Sequence, residues 1–180
     1  MTLTLLLLVA VLIFGIILLK RIQLNGLFGS QNKFVHALKT AKWFQNYWFS
    51  GIFLFAINAF LFCSAGLLLY VLTFFLIPYL HLLVMSAAVI GSIYLWMMLN
   101  FAWIGLKTDR LKMAAIGSSF YVILSIIFMY WLVTLEPVYP GEDTFMRWIG
   151  LIFAIIITTT AAITCFVITG FSDKKLQVHN

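Results

Sequence analysis

The chain has 180 residues, of which 64% are hydrophobic and only 9% charged, whereas a soluble domain carries about 25% charged residues. So few polar groups could not cover a soluble fold of this size, which excludes a water-soluble domain. The formal charge of +6 does not indicate a nucleic-acid partner, because Lys and Arg lie in short clusters at the ends of apolar runs. We therefore predict an all-α integral membrane protein surrounded by the lipid bilayer.

The first apolar run covers residues 3–19 and ends at Lys20 and Arg21. Crossing about 30 Å of hydrocarbon takes about 20 helical residues, and this run is close to that length. No basic residue precedes it and no small-residue cleavage site follows it, which disfavours a cleaved signal peptide. We predict that it is the first span.

The basic segment 20–42 follows, with five Lys or Arg residues and no acid. Its second half is typical of a short amphipathic helix in the headgroup region, with Phe34, Leu38 and Ala41 on one face. Basic side chains are distributed around the other faces, and three of them form a possible surface for anionic lipid headgroups or for another membrane protein: Lys33, Lys39 and Lys42. Membrane anchoring and topology alone are the simpler interpretation.

Residues 43–106 contain no charged side chain, which leaves room for two or three spans. Basic residues flank both ends of this stretch, so both ends belong on the same side of the membrane and the number of spans must be even. Pro78 disfavours a continuous helix and marks the break between them. The sequence predicts two spans here.

Two more spans follow, separated by the acidic loop 136–143. Ten of the eleven Lys and Arg residues then lie on one side, with Arg147 on the other, which predicts an extracytoplasmic N-terminus and a cytoplasmic C-terminus. The absence of an Asn-x-Ser/Thr acceptor or a retention signal fits a bacterial plasma membrane. The prediction is a single domain, 1–180, a bundle of about five transmembrane helices with one interfacial amphipathic helix; the spans are 3–19, 48–69, 82–104, 113–135 and 148–168.

Neutral polar residues lie near the middle of four predicted spans: Asn58, Ser92, Ser125, Thr158, Thr159 and Thr160. A functional interpretation is a hydrogen-bonding pocket for an uncharged solute. The structural interpretation is contact between helices, worth roughly 0.6 kcal/mol per hydrogen bond. We favour the structural interpretation.

No acidic or basic residue lies inside any predicted span, which disfavours ion-coupled transport. His81 could approach Glu136, Glu142 and Asp143, but their spacing carries no metal-ligand signature. Ser118 and Ser119 lack a nearby base, and no Walker-type loop occurs. We therefore predict no catalytic residue, cofactor or metal.

These observations predict a non-enzymatic accessory or regulatory membrane protein that acts through helix contacts and its basic cytoplasmic segment. The main alternative is a small permease, or the membrane subunit of a transporter, for a neutral solute. A third alternative is an intramembrane enzyme that uses His81.

Overall fold

The structure is a computed structural model that describes residues 33–75, 80–137 and 143–171. Within these ranges the fold is all-helical and contains no strand. The helices are α1 (Lys33–Thr40), α2 (Tyr47–Leu72), α3 (Leu80–Ala102), α4 (Lys107–Val133) and α5 (Phe145–Gly170).

Four of the helices, α2 to α5, are long and apolar enough to cross a membrane. Each contains most or all of one predicted span, and the charge-free stretch 43–106 forms two helices, as predicted. The largest difference is in α4, which begins six residues before the predicted start at 113 and includes Lys107, Arg110 and Lys112. The first predicted span, 3–19, and most of the basic segment lie outside the described residues.

Polar side chains fix where α2 and α5 begin. The Asn46 Oδ1 atom accepts a hydrogen bond from the Trp48 backbone N–H at 3.0 Å, and Asp143 Oδ1 accepts one from Phe145 N–H at 2.9 Å. The first N–H groups of a helix have no partner within the helix, so such a side chain stabilises its first turn. The apolar runs therefore start at short polar residues.

The four long helices form a ring in which neighbours in the chain are not always neighbours in space. Helix α4 packs against α2 and α5, and α3 also packs against α2 and α5. The order around the bundle is thus α2, α4, α5, α3, which places α3 and α4 diagonally opposite each other. Helix α1 packs against α3.

The buried residues of the long helices gather at one end of the bundle, where α2 and α4 begin and α3 and α5 end. They lie in the segments 50–58, 93–102, 110–121 and 158–170. We call this the basic end, after its Lys and Arg residues, and the other the opposite end. Apart from Tyr121, which lies one residue past the middle of α4, no residue of α2 to α5 is buried in the half toward the opposite end. Helix packing within the described residues is therefore tight at the basic end and loose at the opposite end.

Helix α1 buries Val35 and Leu38, which are 1% and 6% exposed. Of the residues predicted to share the apolar face of this helix, Leu38 is buried and Phe34 is 41% exposed.

An aromatic group joins the α1–α2 connection to the bundle. Phe44 makes edge contacts with Phe53 and Trp103, with ring centroids 6.2 and 6.3 Å apart. Phe44 and Trp103 are both fully buried. Edge-to-face packing of aromatic rings is favourable and buries large areas, so this group stabilises the basic end.

Candidate functional site: a buried polar cluster at the basic end

Asn58 is fully buried and contacts all three other long helices. Its Nδ2 atom donates to the Gly117 carbonyl oxygen at 3.0 Å and to Cys165 Sγ at 3.6 Å. Its Oδ1 atom accepts a hydrogen bond from Trp96 Nε1 at 2.8 Å. We call Asn58, Trp96, Gly117 and Cys165 the Asn58 cluster; it links one residue from each of α2, α3, α4 and α5.

An aromatic contact connects α3 to α4 beside the Asn58 cluster. The Trp96 and Tyr121 rings meet edge to face with centroids 6.1 Å apart. Since α3 and α4 are diagonal in the bundle, these long side chains reach across its centre.

Close backbone approach makes this arrangement possible. A Cβ atom added to Gly117 would overlap the Leu54 side chain, including its Cβ atom at 2.8 Å. One added to Gly51 would lie 2.8 Å from Ile116 Cβ. Leu54 of α2 therefore packs on Gly117 of α4, and Ile116 of α4 packs on Gly51 of α2. Small residues at such contacts are typical of tightly packed membrane helices.

The six predicted midplane residues make different kinds of hydrogen bond. Asn58 and Thr158 are buried, but the Thr158 hydroxyl donates to the carbonyl of Ala154 in its own helix at 2.8 Å. The hydroxyls of Ser92 and Thr160 likewise donate to carbonyls one turn earlier. Ser125 and Thr159 share a hydrogen bond of 3.1 Å between α4 and α5, in an exposed position.

Asn100 is a buried polar residue that the sequence pattern did not single out. Its Nδ2 atom donates to the Ile168 and Phe171 carbonyls, at 2.7 and 3.4 Å. These carbonyls lie at the end of α5, where they have no partner within the helix. The sequence carries no signal that singles it out, because polar residues are common near the ends of apolar runs and its partners lie on another helix.

Two side chains, Gln45 before α2 and Arg110 in α4, form hydrogen bonds with the backbone of the turn between α3 and α4. Gln45 Oε1 accepts from the Ile104 N–H at 3.1 Å, and its Nε2 atom donates to the Ala102 carbonyl at 3.3 Å. Arg110, which is 7% exposed, donates from Nη2 to the Trp103 carbonyl at 2.9 Å. Arg110 is therefore part of the bundle, whereas the sequence placed it in a solvated loop.

The three predicted surface lysines lie at the basic end. Lys33 and Lys42 are exposed and Lys39 is half-buried. Among the described residues, none of these three lysines forms an ion pair with an acid. An ion pair does join Lys112 to Asp109, at 3.4 Å. The Lys112 ammonium also lies 4.9 Å from the centroid of the Tyr47 ring.

Residue types that support catalysis or metal binding are dispersed. No group of three His, Cys, Asp or Glu side chains gathers within the ranges that the structure describes. His81 is exposed near the start of α3, and Cys63 is exposed while Cys165 is buried. The chemistry that the described residues offer is hydrogen bonding inside the bundle and positive charge at its basic end.

The chain matches no protein family, and neither the curated proteins nor the solved structures contain a match.

Proposed function

We propose that the chain is a non-enzymatic, multi-pass membrane protein that serves as an accessory or regulatory subunit. It would act through helix contacts and through its basic end, which contacts anionic lipid headgroups and another membrane protein. The observation that carries the proposal is the contrast between the two kinds of polar group. Inside the bundle the Asn58 amide is hydrogen-bonded to three other helices and the Thr158 hydroxyl to its own helix. Lys33, Lys39 and Lys42, in contrast, have no acidic partner among the described residues.

The finer topology belongs to the same proposal. Five spans, counting residues 3–19, place the basic end on the cytoplasmic side of a plasma membrane by the positive-inside rule. Helix α1 then lies along the inner headgroup region, with Val35 and Leu38 facing α3 and its lysines facing lipid phosphates. Each such lysine contributes about 1 kcal/mol to attraction toward an anionic surface.

The permease alternative receives less support. A neutral solute would need unused hydrogen-bonding groups near the midplane, but the hydroxyls of Ser92, Thr158 and Thr160 donate within their own helices. Three of the four hydrogen-bonding positions of the Asn58 amide are used inside the protein. A solute that binds the folded state would raise its melting temperature, and a reproducible rise with one neutral solute would favour the alternative.

Photocrosslinking in intact cells tests the accessory role. Thr40 is exposed between Lys39 and Lys42, and a benzoylphenylalanine at this position would report what lies against α1. We expect one discrete protein adduct, which disappears when Lys33, Lys39 and Lys42 are replaced by Gln. Replacing the same three residues by Arg should retain it, because Arg keeps the positive charge.

A probe at Phe60 provides the control position, since this side chain is 73% exposed on α2 and far from the lysines in sequence. It should give no adduct that depends on the Lys-to-Gln changes. Absence of a discrete adduct at Thr40, or an adduct that is indifferent to the three charges, would contradict the proposal.

A further inference from the structure

Helix α3 has protein on two opposite sides only at the basic end. Trp96 points into the bundle, toward the Asn58 cluster, and Met98 follows two residues later, about 200° around the helix. Met98 and Ala102 lie one turn apart on this outward side and are nevertheless buried, at 4% and 0% exposed. Helix α1 packs against α3 from outside the ring of long helices, so it covers this side of α3.

The same side of α3 continues, uncovered, toward the opposite end. Gly91 and Ala87 precede Met98 by seven and eleven residues, and these spacings return to one side of a helix. Ala87 is exposed, and a Cβ atom added to Gly91 would meet no described residue within 4 Å. We call Ala87, Gly91, Met98 and Ala102 the outer face of α3. Its last part is covered by α1 and its first part is open.

The open part of the outer face has the shape that a second helix fits. Leu83 and Ile90 stand beside it as a bulky ridge and are 64% and 55% exposed. Ala87 and Gly91 leave a shallow groove next to this ridge. In a bilayer, small residues one turn apart let another helix backbone approach closely and gain dispersion contacts.

The part of the chain that precedes α1 is long enough to cover this groove. Residues 1–32 lie outside the described residues and lead directly into α1. They contain the apolar run 3–19, and consecutive elements of a chain are usually adjacent in space. By the positive-inside rule this run ends at the basic end, as α3 does, so both run in the same direction.

We infer that residues 3–19 pack along the open part of the outer face of α3 and so extend the contact that α1 makes at the basic end. This packing depends on the topology proposed above, in which residues 3–19 cross the membrane, but not on the accessory role. The outer face of α3 is then an internal contact of the chain. A second copy or another protein would have to bind elsewhere.

Disulfide formation in native membranes tests this packing. In a background with Cys63→Ala and Cys165→Ser, Gly91→Cys is combined with a cysteine at each of residues 6–13 in turn. Gly91 lies eleven residues before the end of α3, and residues 6–13 cover about two helical turns at a similar distance before Lys20. We expect disulfides at positions three or four residues apart, which share one face of a helix, and none at the positions between them.

Cleavage at methionine with cyanogen bromide shows which parts of the chain are joined. Met85 and Met97 flank residue 91, so the disulfide joins the fragment 86–97 to the fragment 2–85. Mass spectrometry without reducing agent detects the joined pair. Two chains joined through Gly91→Cys alone would instead give a dimer of the fragment 86–97.

Ile126→Cys is the matched negative control. Gly91 lies five residues before Trp96, and Ile126 lies five residues after Tyr121, the ring partner of Trp96. The two positions are therefore at similar depth, but Ile126 is 62% exposed on α4, diagonally opposite α3. It should form no disulfide with residues 6–13.

A positive control shows that the oxidation itself works. Ser125→Cys combined with Thr159→Cys should form a disulfide, because the two native hydroxyl oxygens are 3.1 Å apart between α4 and α5. If this pair forms but Gly91→Cys pairs with none of residues 6–13, or pairs no better than Ile126→Cys, the inferred packing is wrong. A dimer of the fragment 86–97 would assign the groove to a second copy and also overturn it.

Filling the groove provides a second measurement. Gly91→Trp should abolish the disulfide between Ala87→Cys and its partner position in residues 3–19, whereas Gly91→Ala should keep it, because alanine leaves the groove small. Gly66→Trp on α2 is the matched control, since a Cβ atom added to Gly66 also meets no described residue within 4 Å. A disulfide that persists in Gly91→Trp would overturn the packing.

Thr2→Cys separates failure of the packing from failure of the topology. A membrane-impermeant thiol reagent should label it in intact cells if residues 3–19 cross the membrane in the proposed direction. Labelling of Thr2→Cys without any disulfide to Gly91→Cys would leave the topology standing and refute the packing. Absence of labelling before permeabilisation would refute both.

Discussion

Asn58 is the residue whose loss should affect all four long helices at once. Asn58→Leu removes the hydrogen bonds to Gly117 and Trp96 and leaves the Trp96 indole N–H buried without a partner. Hydrogen bonds between membrane helices contribute roughly 0.6 kcal/mol each and up to about 1.7 kcal/mol. We expect a loss of about 1–2 kcal/mol in the free energy of unfolding, measured by denaturation in detergent micelles with Trp fluorescence as the readout.

Ser125→Ala is the matched control for Asn58→Leu. It also removes a hydrogen bond between two helices, to Thr159, but in an exposed position. Its effect should stay at or below roughly 0.6 kcal/mol. If both substitutions change stability equally, or Asn58→Leu changes nothing, the Asn58 cluster does not hold the bundle together.

The sequence identified Asn58 but not its partners, and the reason is physical. A lone Asn in an apolar run is conspicuous because an unsatisfied amide in lipid is costly. Trp96 and Cys165 look like ordinary apolar residues in such a run, and their part in the cluster depends on how the helices are ordered around the bundle. Gln45 and Asn100 lie near span ends, where polar residues are expected in any case.

At the scale of helices, the contact between α2 and α4 depends on Gly117. Gly117→Ala forces a methyl group into the Leu54 side chain at its root, where rotation of the side chain gives no relief. Overpacking of this kind costs about 1–3 kcal/mol. We expect a loss of that size in the free energy of unfolding, measured by the same denaturation assay.

Two companion variants separate overpacking from a general effect of removing glycine. Gly91→Ala places its methyl group in open space and should be nearly neutral. Leu54→Ala combined with Gly117→Ala should be less destabilised than the sum of the single changes, because alanine removes the clashes with Leu54 Cγ and Cδ2 and leaves only the contact with Cβ. Strict additivity of the two substitutions would count against a direct contact between Leu54 and Gly117.

Hydropathy located the long helices well but placed the start of α4 too late. Lys107, Arg110 and Lys112 suggested a solvated loop, since charges are costly in the hydrocarbon region. In the structure Arg110 is buried at the basic end and its guanidinium binds the Trp103 carbonyl, while Lys112 binds Asp109 and the Tyr47 ring. Hydrogen-bond and ion-pair partners allow charged residues to lie in the first turns of a helix. A hydropathy average does not take such partners into account.

At the scale of the whole molecule, most of the basic residues and the packed core of the described residues lie at the same end of the bundle. The basic end carries Lys and Arg residues from α1 and α4 together with Asp109, whereas Glu136, Asp143 and Arg147 lie at the opposite end. The packed core also lies at the basic end. The sequence predicted the division of charge through the positive-inside rule. It could not predict the uneven packing, because a fully apolar helix gives no signal of which half meets another helix.

Cysteine accessibility tests most directly whether the two ends lie on opposite sides of a membrane. In a background with Cys63→Ala and Cys165→Ser, the second of which keeps a hydrogen-bond acceptor beside Asn58, single cysteines replace Thr40, Thr108 and Thr144. A membrane-impermeant thiol reagent is applied to intact cells and then to permeabilised cells. We expect Thr144 to be labelled in intact cells, and Thr40 and Thr108 only after permeabilisation. Labelling of Thr40 or Thr108 in intact cells, or no labelling of Thr144 before permeabilisation, would contradict this topology.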